Sequence, residues 1–135
     1  MAEAGVAQSR RPTVLLVEDD PGVRDATRML LAVEGYRVTA VSSALEALRC
    51  VQEHGTPDLV IADYHLGAGE LGTQVIEALR RSSGTAVKAV LITGDTSAVI
   101  KHLSCDPHLR IASKPVNAEE LLSLLTALIE GPEHD

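Results

Sequence analysis

The sequence predicts an α/β fold in which strand and helix alternate five times, giving a parallel sheet covered on both faces. Three observations predict it. Five short apolar runs recur along the 135 residues. Between them lie stretches with apolar residues at helical spacing. Glycine, proline, asparagine and aspartate fall at the junctions, where turns and helix caps need them.

In order, Thr13–Val17 is the first β run, followed by Glu18-Asp19-Asp20 and Pro21. Asp20 suits a helix N-cap and Pro21 the first helical position. Val23, Ala26, Leu30 and Val33 then form the expected buried stripe, and Gly35 stops the helix. Arg37–Val41 is the second run. Ser43 with Glu46 reads as a capping box, and Ala44, Ala47, Leu48 and Val51 as the next buried stripe. Leu59–Ala62 is a third strand, apolar throughout as a strand buried on both faces should be. A loop over Tyr64–Leu71 leads to a helix carrying Val75, Ile76 and Leu79. Val87–Thr93 is the fourth strand, and a short helix over roughly Ser97–Leu103 precedes Pro107. Leu109–Ala112 is the fifth strand, ending in Ser113-Lys114-Pro115. The last helix starts at Asn117, with Glu119 and Glu120 in its positive first turn.

Right-handed crossovers and short connections make the flavodoxin-like (βα)5 three-layer sandwich, strand order 2-1-3-4-5, the expected arrangement. The expected division is an N-terminal tail over 1–12, one domain over 13–131 and a C-terminal tail over 132–135.

Composition narrows the function. At 45% hydrophobic and 23% charged the chain has the balance of a soluble globular domain. No apolar run approaches the roughly 20 residues of a membrane span, and no secretory leader opens the chain; the expectation is a cytoplasmic protein with no membrane partner. A net charge of −7 argues against direct nucleic-acid binding, which needs a basic face. Phe and Trp are absent, so the core must be aliphatic. Cys50 and Cys105 form no redox or metal motif and read as packed thiols.

Function is sought beyond the carboxyl ends of the strands, where open parallel sheets place their working groups. Strand one ends in Glu18 and Asp19, strand three in Asp63, strand four in Thr93 and strand five in Lys114. In the order 2-1-3-4-5 these four strands are neighbours, so the groups share one crevice. Crowded carboxylates repel by on the order of 4 kcal/mol per close pair at an effective dielectric of about 20. An all-oxygen donor set suits a hard divalent cation such as Mg²⁺, which offsets that repulsion. Asp63 could then act as nucleophile toward a phosphoryl group, with Lys114 and Thr93 meeting its oxygens.

The motifs Leu15-Leu16-Val17-Glu18-Asp19-Asp20-Pro21, Asp58-Leu59-Val60-Ile61-Ala62-Asp63, Val90-Leu91-Ile92-Thr93-Gly94-Asp95 and Ser113-Lys114-Pro115 together resemble the receiver domain of two-component response regulators. The resemblance covers about Thr13 to Glu130. It implies that Asp63 accepts a phosphoryl group from a histidine kinase or histidine phosphotransfer protein. It implies Mg²⁺ ligation by Asp19, Glu18, Asp63 and the backbone carbonyl of His65. Thr93 falls at the switch hydroxyl and Lys114 at the phosphate-pairing lysine, with the Lys114-Pro115 bond expected cis. Such a domain catalyses its own phosphorylation and dephosphorylation without being a multiple-turnover enzyme.

Three departures stand out. Ile111 replaces the family's switch aromatic, and the loop Leu66-Gly67-Ala68-Gly69-Glu70-Leu71-Gly72 resembles receivers of hybrid sensor kinases. The third is an expected lack of an output domain, which leaves a free-standing receiver or part of a larger kinase as the expectation. Two rival readings stand beside the receiver. One is a docking module that works without phosphate. The other is a haloacid-dehalogenase-like phosphatase, which wants an aspartate where His65 stands. The His65 side chain and Asp95 are expected to flank the phosphoryl group. In the last helix, Leu122, Leu125 and Ile129 suggest either deep packing or an exposed patch for a partner or second copy.

Overall fold

The computed structural model describes residues 11–94 and 106–130. Residues 1–10 and 131–135, the helix expected near Ser97, Asp95 and Cys105 lie outside the described residues. Strands β1 (Thr13–Val17), β2 (Arg37–Val41), β3 (Leu59–Asp63), β4 (Lys88–Thr93) and β5 (Leu109–Ser113) form one parallel sheet in the order β2-β1-β3-β4-β5. Helices α1 (Pro21–Val33), α2 (Ala44–His54), α3 (Gly72–Ser83) and α4 (Ala118–Glu130), with a 3₁₀ turn over Gly67–Gly69, complete the described elements. This is the flavodoxin-like sandwich expected from the sequence. None of these helices is long and apolar enough to cross a membrane.

Strand alternation divides the core in two. Leu15, Val17, Val60, Ala62, Ala89 and Leu91 face α2 and α3, meeting Ala47, Val51, Val75, Ile76 and Leu79. Val14, Leu16, Leu59, Ile61 and Val90 face the other way and pack on Leu31, Leu121, Leu125 and Leu128. Register fixes each layer: Leu15 pairs Val60, Val60 pairs Ala89, and Ala89 pairs Leu109. At roughly 25 cal/mol per Å² of apolar area, these aliphatic layers are the main stabilising term.

The starts of β4 and β5 are tied by one side chain. Arg80 Nη1 donates to Asp106 Oδ2 at 2.6 Å, and its Nε and Nη2 donate to the Val87 carbonyl at 3.1 and 2.8 Å. Burial pushes the Asp106 carboxyl up. The Arg80 hydrogen bond, the His108 N–H and the Arg80 charge outweigh it, so the net displacement is downward.

Two local expectations are corrected, and one that stood open is decided for deep packing. The α1 stripe does not face the core: Val23 is 50% and Val33 82% exposed, Ala26 is exposed and Leu30 half-buried. Leu31 is buried instead, with Thr27 and Arg24 half-buried. The two stripes are one residue, about 100° of rotation, apart. A count of apolar residues alone selects the wrong one, because Arg24 turns inward to bond the Glu18 carbonyl. The capping box at α2 is only half made. Ser43 Oγ accepts from the Glu46 N–H at 3.2 Å, but the Glu46 carboxylate returns to Ser42 N and Oγ at 2.8 and 3.0 Å. In α4, Leu125 is wholly buried and cannot belong to an exposed patch, while Leu122 and Ile129 lean half-buried on the same core layer. A helix seated over the sheet buries a wider arc than a narrow stripe provides.

Candidate functional site

The acidic turn between β1 and α1 is built locally. Asp20 caps α1, its Oδ1 accepting from Gly22 N and Val23 N at 2.9 and 3.1 Å. That turn presents Glu18 and Asp19 beside the end of β3. Carboxylate oxygens of Glu18, Asp19 and Asp63 lie within 4.8 Å of one another. Reaching past the end of β4 from the end of β5, Lys114 Nζ donates to Asp63 Oδ2 at 2.9 Å, and the Lys114-Pro115 bond is cis.

Burial sharpens the electrostatics. Glu18 and Asp63 are each 7% exposed, whereas Asp19 opens to solvent. Burial, followed by the charges of Asp63 and Asp19, pushes the Glu18 carboxyl above its ordinary value, against the opposing pull of the Asp20 N–H and Lys114. A group so placed gains from a cation. All-oxygen donors around one open carboxylate fit Mg²⁺, which keeps several waters and takes one or two carboxylates.

These groups rim a cleft of about 780 Å³ between α1 and α4, floored by Leu16, Ile61 and Ile92. Glu18, Asp19, Asp63 and Lys114 line it; Thr93 and His65 do not. Thr93 is 1% exposed at the end of β4, and its carbonyl accepts from Lys114 N at 2.9 Å. Alternation along β4 directs it away from Ile92, toward the α2/α3 layer. The His65 imidazole stands outside the carboxylate cluster. It packs edge-on against the Tyr64 ring, centroids 4.7 Å apart and planes at 77°.

The loop after Asp63 is held by residues that sequence reasoning passed over. Leu66 is buried, and its N–H donates to the Glu70 carbonyl at 2.9 Å. The Glu70 carboxylate accepts from Ala44 N at 3.2 Å, tying the loop to α2. Gly72 N donates to Tyr64 O at 2.8 Å. A Cβ on Gly72 would meet the Asp63 carbonyl oxygen at 2.3 Å, so only glycine lets α3 start this close to the end of β3. A glycine followed by helical periodicity was the one available signal.

A family model described as the response regulator receiver domain matches residues 14–126. The transcriptional regulatory protein AruR of Pseudomonas aeruginosa is 35% identical over 129 residues, covering 91% of this chain and 51% of AruR. The transcriptional regulatory protein KdpE of Mycobacterium tuberculosis is 32% identical, covering 86% of this chain and 50% of KdpE. This chain thus spans about half the length of the curated relatives it matches. Among solved structures, a response regulator receiver protein from Sinorhizobium medicae superposes with a TM-score of 0.80 at 24% identity, covering 93% of this chain and 99% of that one, a likeness of fold alone. The chemotaxis response regulator CheY4 of Vibrio cholerae gives 0.75 at 26% identity, covering 87% and 98%. The chain belongs to the response regulator receiver domain family of two-component signal transduction. The dehalogenase-like reading is overturned by that membership.

Proposed function

We propose that the domain accepts a phosphoryl group on Asp63 from a phosphohistidine donor, a histidine kinase or histidine phosphotransfer protein, with Mg²⁺ as cofactor. The observation that carries this reading is the Asp63 carboxylate, paired to Lys114 at 2.9 Å and clustered with Glu18 and Asp19 at the rim of an open cleft. Glu18, Asp19, Asp63 and the His65 carbonyl would hold the ion, which supplies charge neutralisation between carboxylates and phosphoryl oxygens.

An Asp63 oxygen attacks phosphorus; the bond from phosphorus to the donor imidazole nitrogen breaks, and the electron pair leaves with the imidazole. Lys114 offers its ammonium to the transferred oxygens, and Thr93 its hydroxyl once the β4 end rearranges toward them. In hydrolysis, a water oxygen bonds to phosphorus and gives up a proton to solvent, the bond from phosphorus to the Asp63 oxygen breaks with its electron pair returning to the carboxylate, and inorganic phosphate departs. Transfer of Lys114 from Asp63 to a phosphoryl oxygen biases two conformations, the local event behind a population shift. Incubation with a small acyl phosphate and Mg²⁺ should add one phosphoryl mass to the wild type and none to Asp63→Asn. Equal labelling of the two proteins would end this reading.

A specific observation keeps a second reading, docking without phosphate. Ile111 occupies the switch-aromatic position and sits half-buried against the α2/α3 layer. A branched aliphatic has no ring to swing between exposed and buried rotamers. Partner affinity unchanged by Asp63→Asn and by chelator would favour this alternative.

A further inference from the structure

Arg24 has no role in the chemistry above, yet its placement is unusual for an arginine among acids. Glu18, Asp19, Asp20 and Asp25 all lie within six positions of it in the sequence. Its guanidinium bonds none of their carboxylates among the described residues. Instead Nη1 donates to the carbonyl oxygens of Glu18 and Asp19, at 2.9 and 3.5 Å. Arg24 is half-buried, and its own N–H donates to the Asp20 carbonyl at 2.8 Å. Three successive carbonyls of the acidic turn therefore end on one residue.

We infer that Arg24 is the positioning residue of the metal site: it fixes the backbone from which Glu18 and Asp19 project while leaving their carboxylates open to an ion. The inference rests on the Mg²⁺ reading above.

The physical case has two parts. Extended backbone at the end of β1 must turn into α1 within three residues, and among the described residues the Glu18 and Asp19 carbonyls have no strand partner of their own; a cationic donor satisfies them more strongly than water does. The carboxylates on the same residues repel one another, which by itself would splay the turn. A guanidinium beneath the backbone holds the turn against that repulsion at short range. Arginine suits the task because Nη1 alone carries two N–H groups, one for each carbonyl, and its charge does not titrate away. An arginine paired directly with Asp19 would instead compete with the ion. The geometry avoids that competition, since Asp19 carries no hydrogen bond or ion pair on its carboxylate among the described residues, and Gly67 is the neighbour whose added Cβ would meet it, at 3.1 Å. The exposed face of α1 follows from the same contact, because turning Arg24 inward carries Val23 and Val33 outward.

The test is Mg²⁺ titration calorimetry on the intact chain, comparing wild type, Arg24→Lys and Arg24→Met, with melting temperatures taken in chelator. Partners of metal ligands cost roughly 10–100-fold in affinity when removed. Arg24→Met should weaken Mg²⁺ binding at least about tenfold, and Arg24→Lys, which keeps the charge but loses the guanidinium, by an intermediate factor. Both variants should remain folded in chelator at the titration temperature. Affinities within twofold of wild type in both variants would overturn the inference and leave the Mg²⁺ reading standing. A loss of affinity that only tracks the unfolded fraction would also overturn it; Arg24→Lys guards against mere unfolding of Arg24→Met. No Mg²⁺ binding by the wild type would instead overturn the metal reading, and the inference with it.

Discussion

Gly72→Ala tests how closely β3 and α3 are fitted. The added methyl would lie 2.3 Å from the Asp63 carbonyl oxygen, 3.0 Å from its carbonyl carbon and 2.8 Å from Leu91 Cδ1. The first gap is about 1 Å short of ordinary contact, and two of the three atoms are backbone, so no rotamer change relieves it. Overpacking of this kind costs roughly 1–3 kcal/mol, against about 0.5–1 kcal/mol returned by alanine's reduced freedom in the unfolded chain. A net loss of about 1–2 kcal/mol should lower the melting temperature by roughly 3–8 °C for a domain of this size. The larger effect should be functional: displacing Asp63 by about 1 Å costs up to roughly a hundredfold in a positioned reaction. Gly22→Ala is the control, since its Cβ would meet only Asp20 Oδ1, at an ordinary 3.4 Å. The measurements are thermal melts and acyl-phosphate labelling rates. A Gly72→Ala protein as stable and as quickly labelled as Gly22→Ala would refute the packing argument.

Glu18→Gln should stabilise the metal-free protein near pH 7. The raised Glu18 carboxyl contributes stability below its unfolded value of 4.5 that is lost as pH climbs through the folded value, and glutamine removes that loss. Melts in chelator should show the gain at pH 7 vanishing near pH 4, while Mg²⁺ affinity falls; a variant less stable than wild type at pH 7 would contradict the assignment. Asp106→Asn should cost about 1–2 kcal/mol at pH 7, because it breaks a partly buried pair to Arg80. The Asp106 carboxyl is lowered from 3.8, so its contribution is present above that value and fades as pH falls through the folded one. Urea midpoints should therefore converge in acid, and a gap that persists at pH 2 would exclude the pair as its source. Ala68→Gly should stabilise by about 1 kcal/mol, since Ala68 sits at φ 61°, ψ 28°, where a Cβ is disfavoured; an unchanged urea midpoint would show the loop relaxes without it.

The sheet was legible because apolar runs bounded by turn residues specify buried parallel strands with little competition. Thr13–Val17 and Arg37–Val41 stand where the sequence places them, and β3 and β5 each extend one residue further, to Asp63 and Ser113. The carboxylate cluster was legible for a topological reason, since strand order alone brings Glu18, Asp19, Asp63 and Lys114 to one rim. Rotation of α1 was not legible. Its inward face is chosen by an arginine bonding carbonyls, a contact that hydrophobic periodicity counts as polar and turns outward. Gly72 was equally hidden, because the reason for a missing side chain lies in Asp63, nine positions away and on another element. Glu46 chose Ser42 over Ser43 by a side-chain geometry that sequence spacing does not resolve.

The Arg80 anchorage gives the sheet a fixed end and a free end. Val87, Asp106 and His108 are gathered by a single guanidinium at the floor of β4 and β5, and Ala89 N donates to His108 O beside it. Sliding of one strand past the other would have to tear that knot, so on the proposed function a change begun at Asp63 would bend the upper rim about a root that stays still. Amide exchange would display this as slow, state-independent protection at Ala89 beneath a changing fringe at Thr93 and Lys114.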